Sequence, residues 1–215
     1  MKKIAVVLSG CGVFDGAEIH EATLTLLAIA QQGAAYECFA PDMEQAHVVN
    51  HLNGEEMNEK RNVLVEAARI ARGNIKALSE YHPADFDAIV FPGGFGAAKN
   101  LCTFAFDGPD CTVNKDVEQA IRSTVEAGKP LGALCISPAV VAKVLGDVQL
   151  TIGQDKATAE ALEKLGAKHV VTNHGEIVVD EKYKVITTPC YMLDATIDQI
   201  AEGANRVIAK ILEMV

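Results

Sequence analysis

Short, unbroken apolar runs alternate along this chain with longer stretches in which apolar positions return at helical spacing. IAVVL at residues 4–8 has the length and composition of a strand buried on both faces. From about 17 to 32 the residues Ile19, Ala22, Leu26, Ile29 and Ala30 recur every three to four positions, and Gly33 follows as a C-cap signal. Runs at 36–40, 88–91 and 131–134 predict further strands, and 114–127, closed by Gly128, and 138–145 predict helices. Strands at 176–180 and 185–188 and a helix from about 195 to 214 complete the pattern. Strands separated by helices imply parallel strands joined by crossover helices. The expected fold is a single α/β domain over 1–215, with a doubly wound, mostly parallel sheet flanked by helices on both faces.

Residues 41–82 depart from plain alternation. The stretch 47–52, then Asn53-Gly54, then Glu55 onward, carries a hairpin signal with a type I′ turn dipeptide. A helix over 62–72 follows, with Val63, Leu64, Ala67, Ala68 and Ile70 as its apolar side. The expectation is a small inserted hairpin-plus-helix that flanks a pocket or a dimer interface.

Composition narrows the function classes. Nineteen basic against 29 acidic residues leave a net charge of −10, which repels phosphate backbones and anionic lipid. The expected partner is a small molecule or another protein, with no nucleic acid and no membrane. The apolar run after MKK is five residues, short of a secretory signal, and no stretch approaches a membrane span. Six cysteines are scattered without a CxxC pair, so neither a disulfide framework nor a structural zinc site is expected. Reduced thiols point to a cytoplasmic protein.

Cys135 is the leading chemical candidate. It lies in PLGALCISPAVV, where an apolar strand runs directly into a helix with Pro138 in its first turn. Such a junction is a nucleophile elbow, and the helix N-terminus beside it should favour thiolate over thiol. Ser137 stands where the hydrolase GxSxG pattern has its second Gly, and a buried core cysteine is an equal alternative from local context. PGGFG at 92–96 follows another strand, and the N–H groups of Gly94 and Ile136 would make an oxyanion hole beside Cys135. The first helix holds Glu18 and Glu21. Asp15 three residues ahead of Glu18 resembles a capping box. Glu21, in line with Ala17, Leu24 and Ala28, should be desolvated and suited to moving a proton beside a thiol; a solvated helix face is the alternative.

The other signals are weaker. His47 and His51 have an i, i+4 spacing, but the hairpin puts them on one exposed strand face, without a third ligand. His174 in TNHGE, Cys11 after the first strand and Cys190 after a late one are auxiliary candidates near the Cys135 edge of the sheet. Cys38 reads as core, and Cys102 and Cys111 have no evident partner.

The motifs LSGCGVFDGAEIHEA, NHLNGEEMNEKRNVLVEAARIARG, PGGFGAAKNL and TTPCYML, with the cysteine elbow among them, resemble the ThiJ/PfpI superfamily, and more finely its ElbB-like branch. The resemblance spans nearly the whole chain. It implies a flavodoxin-like sandwich shared with class I glutamine amidotransferases, usually a homodimer. Cys135 matches the reactive cysteine, Glu21 the carboxylate partner with Glu18 the fallback, and Gly94 and Ile136 the oxyanion positions. The branch is associated with a cofactor-free glyoxalase activity, so a small dicarbonyl substrate and no metal or cofactor are implied. Peptidase-like members carry a histidine after the cysteine, where this chain has Ile136, and no late H-x-E pair matches the amidotransferases except His174-Gly175-Glu176 in a different context. Two alternatives remain beside glyoxalase turnover: Cys135 as an oxidation sensor, and a deglycase or amidase using the same residues.

Overall fold

The computed structural model describes residues 1–215. Its elements are β1 (Lys3–Val7), α1 (Ile19–Gln31), β2 (Ala35–Ala40), α2 (Val63–Ile70), β3 (Ile75–Ala77), β4 (Ala88–Phe91), α3 (Phe104–Asp107), α4 (Lys115–Glu126), β5 (Leu131–Leu134), α5 (Pro138–Leu145), β6 (Gln149–Leu150), α6 (Lys156–Lys164), β7 (Lys168–His169), β8 (Val178–Asp180), β9 (Val185–Thr188) and α7 (Ile197–Glu213). Seven strands form one sheet in the order β3-β2-β1-β4-β5-β9-β8, while β6 and β7 pair separately. Every pairing in the large sheet is parallel except β8 with β9. The doubly wound, flavodoxin-like fold is therefore present.

Strand periodicity divides the core into two layers. Ile4, Val6 and Leu8 pack with Ala22, Ile29, Val207 and Ile211 of α1 and α7, while Ala5 and Val7 face Val117, Ile121 and Val140 of α4 and α5. Both faces are covered, which is why the central strands read as continuous apolar runs. Helix ends follow local rules: Asn62 and Asn114 cap α2 and α4 through their side chains, and Pro138 opens α5.

Three local expectations change. The hairpin consists of isolated bridges, with Val49 opposite Glu56 and Glu44 opposite Asn62. Its turn is not type I′, because Gly54 has φ +76° but Asn53 is not in the left-handed region, and Gly54 N donates to Asn50 O at 2.8 Å across a wider loop. The added segment also ends sooner than 82. Helix α2 is the crossover between β2 and β3, and β3 is hydrogen-bonded to β2, so only residues 41–62 decorate the regular fold. Finally, Asp15 is not an N-cap. Glu18 itself caps α1 by accepting from Glu21 N at 2.7 Å, while Asp15 accepts from Val49 N at 2.7 Å and so anchors the hairpin.

The sheet reverses its winding between β1 and β4, and the loops leaving their carboxyl ends meet there. Phe95 N donates to Val13 O and Gly96 N to Gly16 O, both at 2.8 Å. Asn100 Nδ2 donates to Ser9 O and Asp15 O, each at 2.9 Å. Open α/β sheets bind ligands at this crevice.

Candidate active site

The elbow is present in the backbone. Cys135, the first residue after β5, has φ +60°, a left-handed conformation that costs a non-glycine residue roughly 1–2 kcal/mol. Its neighbours hold it there. Cys135 N donates to Thr188 O at 3.0 Å, and Ser137 Oγ donates to Pro92 O at 2.7 Å, tying the elbow to the loop after β4. That contact explains a serine where a hydrolase has glycine.

Glu21 lies on the buried side of α1 with no exposed surface, and its carboxyl group hydrogen-bonds the Cys135 side chain. Oε2 accepts from Gly93 N at 2.9 Å and Oε1 from Tyr191 N at 3.3 Å. Burial first, and then the nearby Glu18 carboxylate, push Glu21 up to about 8, against the pull of these hydrogen bonds. The N–H groups of Gly94 and Ile136 point at the Cys135 sulfur. They favour the thiolate, but complete burial and the Glu21 charge outweigh them and hold the thiol well above its usual range. A thiolate favoured by the helix N-terminus is thus corrected: at rest the thiol keeps its proton.

Two glycines make the approach geometrically feasible. A Cβ on Gly93 would overlap the Cys135 Cβ and lie 2.6 Å from Glu21 Oε2, squarely between the two reactive side chains. Gly94 has φ +98°, and a Cβ there would overlap the backbone of Glu18 and Gly16.

A cavity of about 450 Å³ opens above the elbow, lined by Glu18, Gly94, Cys135, Ile136, Tyr191 and an apolar wall that includes Phe95 and Phe104. The auxiliary residues fare differently. His174 is on the surface with Nε2 3.0 Å from Asp194 O, and neither it nor Cys11 lines the cavity. Cys190 is buried near Glu21 and Cys135, which help push its thiol up, and its sulfur lies against Gly203 of α7. His47 and His51 part company: His47 packs edge-on against Phe106, and His51 Nε2 accepts from Phe14 N at 3.2 Å. Cys38 is core, and Cys102 and Cys111 are buried close enough to perturb each other, with the Cys102 thiol donating to Ala97 O at 3.4 Å.

Tyr191 was not distinguished by its residue type alone. Its N–H reaches Glu21 because Cys190 before it has φ +45°, and its hydroxyl is 2.8 Å from His20 Nδ1. The only sequence signal was its place in TTPCYML. Asp155 and Thr158, which also line the cavity at the start of α6, gave none.

A human protein, "Glutamine amidotransferase-like class 1 domain-containing protein 3, mitochondrial", is 48% identical over 99% of this chain and 83% of its own. The chain belongs to the glutamine amidotransferase-like class 1 domain family. No family model matches it. Among solved structures, an isoprenoid biosynthesis protein with an amidotransferase-like domain from Ehrlichia chaffeensis is 35% identical, covering 100% of this chain and 99% of its own with a TM-score of 0.94. Glyoxalase III from Candida albicans has the same fold at 16% identity, with a TM-score of 0.62 over 99% and 97% of the two chains. The resemblance to the ThiJ/PfpI superfamily is borne out at the level of the fold, which a ThiJ/PfpI domain protein from Brachyspira murdochii shares at 16% identity with a TM-score of 0.61. The cytoplasmic expectation is not. The human, rat and zebrafish relatives all carry "mitochondrial" in their names. Scattered reduced cysteines separate reducing from oxidising surroundings, and do not separate one reducing compartment from another.

Proposed function

We propose that this protein is a cofactor-independent glyoxalase that isomerises and hydrolyses a small α-oxoaldehyde, with glyoxal giving glycolate. The observation that carries the reading is the contact between Cys135, on its left-handed elbow, and the buried Glu21, with two backbone N–H groups aimed at the same sulfur. A nucleophile, a proton carrier and an anion stabiliser converge there, with no histidine lining the cavity.

In this scheme Glu21 takes the Cys135 proton as the sulfur attacks the aldehyde carbon. The new oxyanion lies against the Gly94 and Ile136 N–H groups and is protonated to a hemithioacetal. Glu21 then removes the C1 hydrogen and delivers it to C2 through an enediol, while the hydroxyl proton passes from O1 to O2. C1 rises to the carboxyl level as C2 falls to an alcohol, so no outside oxidant is needed. Water hydrolyses the thioester and returns the thiol. Glu18, which lines the cavity and caps the helix turn carrying Glu21, is a positioning residue.

The test is steady-state conversion of glyoxal to glycolate by metal-stripped protein, comparing wild type with Cys135→Ala and Glu21→Gln. Turnover by wild type that both variants lose supports the scheme. Trace activity in wild type, or full activity in Cys135→Ala, removes it.

A further inference from the structure

The scheme above uses one of six cysteines. Two others, Cys102 and Cys111, sit at the neck of a loop whose residues Phe104 and Ala105 form part of the cavity wall. The neck is a short antiparallel clamp. Asn114 N donates to Leu101 O and Thr103 N to Thr112 O, both at 2.9 Å, and Cys102 bridges to Val113. Thr112 N returns a bond to Thr103 Oγ1 at 3.0 Å. Between the clamped segments run only α3 and a three-residue turn, with Ala105, Phe106 and Asp107 exposed.

We propose that Cys111 is the peroxide-reactive thiol of this chain and Cys102 its resolving partner, so that oxidation closes a disulfide across the neck of the cavity-wall loop. The clamp puts the two side chains next to each other, and the Cys102 thiol donates to Ala97 O at 3.4 Å. A disulfide asks the sulfurs to close to about 2.05 Å across the mouth of an eight-residue loop.

Electrostatics assign the roles. The adjoining Cys102 side chain and the positive charge of Lys143, whose Nζ donates to Pro109 O at 3.1 Å, pull Cys111 below the ordinary thiol range against burial and Asp107. The same contact and burial push Cys102 up. Burial also raises Cys11, Cys38, Cys135 and Cys190. Cys111 is thus the thiol with the largest thiolate fraction at neutral pH, and the thiolate is the species that attacks peroxide. Both sulfurs are buried, so reagent enters when the exposed α3 turn opens.

The chemistry balances with a hydroperoxide as oxidant. The Cys111 sulfur takes the distal oxygen as the O–O bond breaks, and the hydroperoxide leaves as alcohol or water. Cys102 then gives up its proton and displaces that oxygen as water, forming the S–S bond. Two thiols lose two hydrogens in all.

Both residues fall in one tryptic peptide, residues 100–115, bounded by Lys99 and Lys115. The reduced full-length protein is treated at pH 7 with a few equivalents of hydrogen peroxide, alkylated and digested. The peptide should lose two hydrogens and both alkylation sites severalfold faster than the Cys135 peptide loses its own, because Cys111 is pulled below the ordinary thiol range and Cys135 is pushed above it. In Cys102→Ser, dimedone should instead trap a sulfenic acid at Cys111. If Cys135 oxidises first, or both cysteines of the wild-type peptide still alkylate after peroxide has been consumed, the proposal is overturned. The wild-type mass measurement decides this without any variant and without reference to turnover.

Discussion

Replacing Glu21 by Gln should remove a pH dependence of stability and so reverse which protein is the more stable as pH rises, and the size of the effect follows from the burial of this one carboxyl group. The unfolded chain ionises it near the ordinary value of 4.5, whereas the folded protein holds its proton to about 8. Between these limits the native state binds a proton that the unfolded state has lost, so wild type loses stability as pH rises. Each pH unit is worth about 1.4 kcal/mol, and the interval of roughly 3.5 units amounts to about 5 kcal/mol as an upper figure. Below the window the full stability is present, and above about 8 the loss is complete. Gln has no such titration, but it carries a second disadvantage. Glu21 accepts from both Gly93 N and Tyr191 N, and an amide has one oxygen, so one buried N–H faces another donor. That mismatch costs about 1–3 kcal/mol at every pH. Glu21→Gln is therefore expected to be less stable than wild type at pH 5 and more stable at pH 8.5, with the two curves crossing near ~pH 6 by the same arithmetic. Urea unfolding of both proteins under reducing conditions, from pH 5 to 8.5, measures the difference directly. Burial keeps Cys135 protonated in the folded protein, and an unfolded thiol begins to ionise only at the top of this range, so its titration adds little. Parallel curves, or a wild type that gains on the variant as pH rises, would refute the reasoning.

The remaining expectations concern the same contact. Turnover of glyoxal should climb through about pH 8 as Glu21 loses its proton, and a profile already flat below pH 7 would contradict the assignment of Glu21 as base. Gly93→Ala places a methyl group between Glu21 and Cys135, and should cost about 1–3 kcal/mol in a urea melt through overpacking while lowering turnover at least tenfold; full activity in a folded variant would show that the two side chains do not act together.

Much of this arrangement was legible because it rests on local rules. The strands β4 and β5 are unbroken apolar runs, as is β1 after Lys3, and Asn62, Asn114 and Pro138 mark helix starts by their own chemistry. Cys135 and Pro138 at a strand–helix junction gave the elbow, and helical spacing put Glu21 on the buried side. What escaped is either too short or too distant to carry a pattern. β6 and β7 have two residues each, β3 has three, and α6 buries only Leu162, so no apolar stripe announces it. Asp15 and Glu18 looked like a capping pair because sequence shows spacing and not the hairpin that draws Asp15 away. The Tyr191 N–H depends on the left-handed Cys190 before it, and the Cys102–Cys111 contact on a clamp that pairs residues about ten apart.

The thiol presented the sharpest disagreement, and it bears on how the site would work. A helix N-terminus and two N–H donors argue for thiolate, yet burial and Glu21 together keep the proton on the pair. Two acids in contact away from water do not both ionise, so once one proton has left, the remaining proton belongs to the pair and not to either group. Attack by sulfur then requires only that this proton sit on Glu21 while the C–S bond forms, a transfer along an existing hydrogen bond with no new charge brought into the cavity. The negative charge that does develop on substrate oxygen appears where Gly94 and Ile136 already point. A permanently ionised thiolate would give up that arrangement, since Glu21 would have no thiol proton to receive and the N–H groups would be engaged by sulfur throughout. Burial that weakens the free nucleophile is therefore the same feature that lets one proton serve the attack and then the transfer between carbons.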